Sequence, residues 1–134
     1  MRIIKTMEDI SLLRQAGALS PVLPDETEHQ LTTVYENVNE GASIEEFSLR
    51  DIGPIVVLEP GDNVRDLEEI GLNSEDGGPL GAASEWVELM ERDGQKFYSL
   101  VIVLNNEYAI NIYCPPDAAD DEALQWLEEQ AGTA

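Results

Sequence analysis

The sequence contains one cysteine, Cys114, and one histidine, His29, in 134 residues. A single cysteine excludes an intramolecular disulfide, and the two residues together cannot make a Cys₂His₂ zinc site. The N-terminus has no apolar run of the kind found in a signal peptide, and no stretch approaches the roughly 20 apolar residues of a membrane span. We therefore expect a soluble cytoplasmic protein with no cofactor, no resident metal and no membrane partner.

Basic residues are also scarce. Seven Lys and Arg face 28 Asp and Glu, which gives a formal net charge of −21. A small domain usually stays within about 8 charges of neutrality. Lys and Arg are absent between Arg14 and Arg50, between Arg65 and Arg92, and after Lys96. Because phosphate would be repelled by this field, the sign of the charge argues against direct nucleic-acid binding.

The length suits one domain spanning residues 1–134, and a hydrophobic content of 43% is enough for a packed core. Thr6 and Asp9 form a capping box that predicts a helix with Ile10 and Leu13 on its inner face. Two turn signals, Asp93-Gly94 and Asn105-Asn106, separate β-rich segments and predict an antiparallel meander.

The periodicity predicts strands at 2–5, 44–52, 54–59, 85–91, 96–104 and 107–114, and further helices at 25–40, 62–70 and 117–130. The segment 85–91 also fits a helix face. The closing helix should turn Ala123, Leu124, Leu127 and Ala131 inward. We expect an α+β fold, in which a mostly antiparallel sheet with a C-terminal three-strand meander packs with three to four helices.

The segment "EPGDNVRD" (59–66) resembles a ligand-binding turn between a strand and a helix. Its acids repel phosphate, and the spacing matches neither a Walker A loop nor a dinucleotide fingerprint. We interpret Asp62 as a helix N-cap after a Pro-Gly turn, with a weak cation site at Glu59 and Asp62 as the alternative. The calcium-loop pattern of an EF-hand is absent from the sequence.

The candidates for catalysis are weak. Cys114 and His29 would serve as nucleophile and base, but they lie on different elements and no third member is evident. A buried, structural Cys114 is the simpler interpretation. Carboxylate pairs are so numerous that no single pair is informative. We therefore expect that the protein is not an enzyme.

The acidic charge has three interpretations. It reflects a surface that is merely solvated, an adaptation to high salt, or a surface that binds a basic partner. The scarcity of lysine, with only Lys5 and Lys96, fits salt adaptation, whereas the excess of Glu (18) over Asp (10) fits it less well. At the end of the closing helix, Glu128 and Glu129 oppose the helix dipole, which indicates that helix stability did not select them.

The leading hypothesis is a non-enzymatic acidic binding protein. We expect an inhibitor or immunity-type protein that acts on a basic, nucleic-acid-handling partner. One version of this hypothesis is a DNA mimic encoded by a phage or mobile element. The expected contact residues are Glu68, Glu69, Glu75, Asp76, Asp120, Asp121, Glu128 and Glu129. The alternative is a self-associating structural or assembly protein with a solvated acidic surface, in which an open edge of the meander pairs across a two-fold axis into a homodimer.

Overall fold

The computed structural model describes residues 2–16, 22–38, 41, 43–49, 52–64, 84–105 and 108–132. Its helices are α1 (Met7–Ala16), α2 (Val22–Val38) and α3 (Asp121–Gly132). Its strands are β1 (Arg2–Ile4), β2 (Ile55–Val57), β3 (Ser84–Arg92), β4 (Gln95–Asn105) and β5 (Tyr108–Cys114). A short 3₁₀ turn, Pro116–Ala118, precedes α3. None of the helices in these ranges is long and apolar enough to cross a membrane.

The five strands form one mixed sheet in the order β1-β2-β5-β4-β3. The pairing is antiparallel except between β2 and β5, which run parallel. The α+β prediction is confirmed, and so is the three-strand meander, formed by β3, β4 and β5. The segment 85–91 is a strand and not a helix. At the first hairpin, Asp93 (φ 52°) and Gly94 (φ 80°) take the left-handed conformations that an Asp-Gly turn favours.

Each face of the sheet carries its own apolar cluster. On one face, α3 packs through Ala123 and Leu127 against side chains of β2, β4 and β5, such as Leu100 and Ile112. On the other face, α1 and α2 pack through residues such as Leu31 onto Ile55, Val57 and Tyr113. The central strands are apolar on both faces because both faces are covered.

The capping box at the start of α1 is confirmed. The Thr6 N–H donates to the Asp9 carboxylate at 3.1 Å, and the Asp9 N–H donates to the Thr6 hydroxyl at 3.3 Å. The predicted helix 25–40 is α2, which begins three residues earlier because Pro24 is tolerated in a first turn. The strands predicted at 2–5 and 54–59 are β1 and β2, and the observed ends differ from the predicted ones by at most two residues.

The predicted strand at 44–52 is wrong for residues 44–49 and 52, and residues 50 and 51 lie outside the described residues. Residues 44–46 form a turn, in which the Glu46 N–H donates to the Ser43 carbonyl at 3.0 Å. Phe47 and Leu49 are both buried beneath α1 and α2, and Phe47 packs edge-to-face on Tyr35 with ring centroids 5.3 Å apart. The alternation of apolar residues therefore reflects two inward side chains of an irregular segment, and not a sheet register.

Two helix predictions also need correction. The closing helix begins at Asp121 and not at 117, because the 3₁₀ turn and the extended Ala119 break the backbone before it. Of the predicted helix 62–70, Asp62 to Val64 are not helical, and the remainder lies outside the described residues.

Candidate acidic interaction surface

The acidic surface is built on α3, and Asp120 fixes where that helix begins. The Asp120 Oδ1 accepts a hydrogen bond from the Ala123 N–H at 2.8 Å, which is the geometry of an N-cap. Its Oδ2 accepts a hydrogen bond from the Asn63 side-chain amide at 3.1 Å. Asp120 was predicted to be a partner contact, but the structure gives its carboxylate a capping role.

The other acids of α3 point outward. Ala123 and Leu127 face the core, whereas the predicted contacts Asp121, Glu128 and Glu129 are exposed, and so is Glu122, which was not among the predicted contacts. At a rise of about 1.5 Å per residue, the four carboxylates span about 12 Å of helix. The amphipathic spacing thus turns every carboxylate of α3 toward solvent on a helix that the sheet holds in place. We call Asp121, Glu122, Glu128 and Glu129 the α3 acidic surface.

The helix dipole acts differently on the two pairs of acids in this surface. Asp121 and Glu122 lie in the first turn, where the dipole favours them, but Glu128 and Glu129 lie near the other end, where it does not. Burial raises the pKa of Tyr98, on the sheet beneath α3, and the negative charge of Glu128 raises it further. The last turn of α3 contains no basic residue to offset this charge.

Three of the described cations, all arginines, pair with acids outside α3. Arg14 bridges Asp25 at 2.6 Å and Glu28 at 3.5 Å, and the hydrogen bond that Arg14 donates to the Asp25 carboxylate is the main cause that raises the pKa of Arg14. Arg92 pairs with Glu26 at 3.4 Å, and Arg2 with Glu59 at 3.2 Å.

Among the residues that the structure describes, no ion pair involves Asp121 or Glu128. The acids at the start of α2 are therefore neutralised by nearby arginines, and no described cation does the same for these two acids of α3.

The other predicted contact residues, Glu68, Glu69, Glu75 and Asp76, lie outside the described residues. Trp126, in the middle of α3, is partly buried and packs against the core cluster of that face. Along the chain it lies between the Asp121/Glu122 pair and the Glu128/Glu129 pair.

The turn at Glu59–Asp62 is held by its own hydrogen bonds. The Asp62 carboxylate accepts from the Glu59 N–H at 2.8 Å, and the Asp62 N–H donates to the Glu59 carbonyl at 2.9 Å. Burial alone would raise the pKa of Asp62, but hydrogen bonds to the carboxylate more than offset it and lower the pKa. Within the described part of the chain, no three His, Cys, Asp or Glu residues are grouped so as to hold a metal ion.

The structure separates the two residues considered for nucleophilic catalysis. Cys114 is buried on the α3 face of the sheet, and its Sγ donates to the carbonyls of Pro115 and Ala118. Burial raises the pKa of its thiol to about 12, so the nucleophilic thiolate is disfavoured at neutral pH. His29 is exposed on α2, which packs on the opposite face.

No family model, no curated protein and no solved structure showed a significant match to this chain.

Proposed function

We propose that this protein is a non-enzymatic acidic binding module that uses its α3 acidic surface to bind a basic surface of a nucleic-acid-handling protein, in the manner of an inhibitor or immunity protein. One observation carries the proposal. A packed helix presents four exposed carboxylates, and the ion pairs of Arg2, Arg14 and Arg92 join acids elsewhere.

The density of charge on α3 is suited to competing with a nucleic acid. Its four carboxylates lie along about 12 Å of helix axis. One strand of duplex DNA carries one charge per roughly 3.4 Å of axis, or three to four charges over the same length. A basic groove that accepts a DNA strand therefore meets a similar charge on α3, which supports a DNA-mimicking form of the proposal.

The rigidity of α3 favours binding as well. Asp120 caps the helix, and Ala123 and Leu127 anchor it to the sheet. A partner that binds a preformed helix loses less conformational entropy than one that must order a flexible segment. The partly buried Trp126 adds, on the same helix, an aromatic side chain of the type that dominates interface energetics, while the charged surface steers association.

An affinity capture with matched variants tests the proposal. Wild-type protein, the double variant Asp121→Lys/Glu128→Lys, and the control Glu36→Lys/Glu45→Lys are immobilised and exposed to lysate of the native host. The control makes the same change in net charge at two exposed acids on α2 and on the 44–46 turn. Each capture is made at low salt and at about 0.5 M salt, where the Debye length is roughly 4 Å.

We expect a single basic protein to be captured by wild type and control at low salt, to be weakened at high salt, and to be lost with the α3 variant. Added duplex DNA should displace it, because the two compete for one basic surface. Equal capture by the wild type and the α3 variant would refute the assignment of the surface. A neutral or acidic specific partner would refute the proposed function.

A further inference from the structure

Leu89, in the middle of β3, is a large hydrophobic side chain that the fold leaves 45% exposed. It lies on the face of the sheet that α3 covers, because side chains two residues apart on a strand share a face and Val87 packs against the core cluster of that face. In the pairing of β3 with β4, Leu89 is directly opposite Tyr98, which is only 5% exposed and belongs to the same cluster. The core thus buries the tyrosine and leaves the neighbouring leucine accessible to solvent.

Glu128 of the α3 acidic surface is a second neighbour of Tyr98. It lies one helical turn from Leu124 and from Ala131, which both pack against the core cluster, and side chains three or four residues apart share one side of a helix. Glu128 is therefore at the rim of the contact between α3 and the sheet. Its negative charge adds to the effect of burial in raising the pKa of Tyr98, as a carboxylate near the phenol does. An exposed leucine and an exposed carboxylate thus adjoin the same tyrosine.

The net charge beside Leu89 comes from α3. The next pair along the two strands on this face, Glu91 and Lys96, consists of two exposed residues of opposite sign that lie directly opposite each other. Glu128 has no such cation among the described residues. The surface that combines Leu89 with Glu128 is therefore complementary to an apolar side chain that lies next to a lysine or arginine.

The position of Leu89, and not its exposure alone, distinguishes it. Single exposed hydrophobic residues are common on protein surfaces, and Leu12 is 52% exposed. Leu12, however, lies on α1, which packs on the face of the sheet opposite α3. Leu89 is on the same face as the α3 acidic surface and is joined to it through Tyr98.

Resting on the function proposed above, we propose that Leu89 is the apolar contact of the α3 acidic surface, and that the partner binds it with an amphipathic basic helix. Such a helix carries an apolar side chain and a lysine or arginine one turn apart, which can meet Leu89 and Glu128 together. A DNA strand offers no counterpart to the leucine. Because salt does not screen an apolar contact, part of the affinity should persist at high salt.

Two synthetic helical peptides with the same lysines test the proposal. One carries leucines along one face, and the other carries alanines at the same positions. Each peptide is titrated into wild type and variants at about 0.15 M and about 0.5 M salt, where the Debye lengths are roughly 8 Å and 4 Å. Wild type should bind the leucine peptide more tightly than the alanine peptide at both salt concentrations.

Leu89→Ser should bind the leucine peptide roughly three- to tenfold more weakly than wild type, the range expected when about half of a leucine surface is no longer buried. Its affinity for the alanine peptide should be unchanged, which also shows that the variant is folded. Leu89→Met keeps an apolar side chain of similar volume and should retain the preference for the leucine peptide. The control Leu12→Ser removes a more exposed leucine from α1 and should bind both peptides as wild type does.

A wild type without a preference for the leucine peptide, or a preference that persists in Leu89→Ser, would overturn the apolar contact. A loss in Leu12→Ser equal to that in Leu89→Ser would do the same. The acidic surface is tested separately, since Asp121→Asn/Glu128→Gln should bind both peptides more weakly than the control Glu36→Gln/Glu45→Gln does. Equal binding by these two charge variants would refute the α3 acidic surface itself, whereas failure at Leu89 alone would refute only the apolar contact.

Discussion

At the scale of single residues, Gly53 shows how closely the chain approaches itself. Its φ of 126° lies in the region that favours glycine, and a Cβ built there would stand 1.7 Å from the Ala109 carbonyl oxygen. The neighbouring Ile52 carbonyl accepts from the Ala109 N–H at 3.0 Å, so the contact joins the entry to β2 with β5. Gly53 is thus required both by its backbone conformation and by lack of space.

Replacing this glycine gives a direct prediction. Gly53→Ala should lower the free energy of unfolding by well over 1 kcal/mol, because strain at positive φ adds to a backbone clash. Gly41→Ala is the matched control, since Gly41 has a φ of 84° but no atom within 4 Å of an added Cβ. Gly41→Ala should lower the free energy of unfolding by about 1 kcal/mol. Urea unfolding measures both, and equal losses would contradict the close approach.

Cys114 gives a prediction about pH. Burial raises the pKa of its thiol from 9.0 to about 12, so the folded state keeps the proton while the unfolded chain loses it. Above pH 9 the unfolded state therefore binds fewer protons, and the free energy of unfolding falls as pH rises toward 12, by at most about 1.4 kcal/mol per pH unit. Below pH 9 this group contributes no slope.

The test compares wild type with Cys114→Ala in urea unfolding between pH 8 and pH 10. The absolute stability of the variant will be lower because a buried group is lost. Its slope with pH should be shallower than that of wild type, although buried Tyr98 and Tyr113, whose pKa values are also raised by burial, leave part of the slope in place. Parallel slopes above pH 9 would show that Cys114 ionises equally in both states.

At the scale of elements, α3 depends on its cap. Asp120→Ala should destabilise the protein by about 1 kcal/mol, because the Ala123 N–H loses its acceptor. Asp120→Asn should retain most of the stability, since an amide oxygen also caps. The control Asp117→Ala removes an exposed acid from the preceding 3₁₀ turn and should change stability little. Thermal unfolding measures all three, and equal loss from Asp120→Asn and Asp120→Ala would show that charge and not capping matters.

The elements also show how much the sequence predicts. The capping box at Thr6 and the Asp-Gly hairpin are local signals, in which a few neighbouring residues determine the backbone, and both were predicted. The strand prediction at 44–52 failed because α1 and α2 bury both Phe47 and Leu49, and two buried side chains in an irregular segment mimic the alternation of a strand. The parallel pairing of β2 with β5 depends on contacts between residues 56 positions apart, and no local pattern encodes it.

The acidic surface was likewise predicted only in part from the sequence. Helical periodicity predicted that Asp121, Glu128 and Glu129 face outward, and they do. It did not predict that Asp120 is occupied as a cap, since the backbone break at Ala119 shifts the start of the helix. Nor could it show that Arg14 and Arg92 pair with acids of α2 across elements. Which charges remain unpaired on a surface is a property of the folded molecule.

At the scale of the whole molecule, a net charge of −21 makes the folded state repel itself. Raising sodium chloride from about 0.01 M to about 0.5 M shortens the Debye length from roughly 30 Å to roughly 4 Å. We expect the free energy of unfolding to rise over this range, because screening relieves more repulsion than it weakens in the few exposed ion pairs. Thermal unfolding across the salt series measures this, and a fall in stability would show that the ion pairs outweigh the repulsion.

The most direct test of the account measures the affinity of the captured partner for this protein by titration calorimetry across a salt series. Wild type is compared with Asp121→Asn/Glu128→Gln, which removes two charges from α3 with little change in shape, and with Glu36→Gln/Glu45→Gln as control. Affinity should fall with salt, and the α3 variant should bind more weakly and with a shallower salt dependence than wild type or control. An α3 variant that matches wild type in affinity and in salt dependence would show that the acids of α3 do not bind the partner.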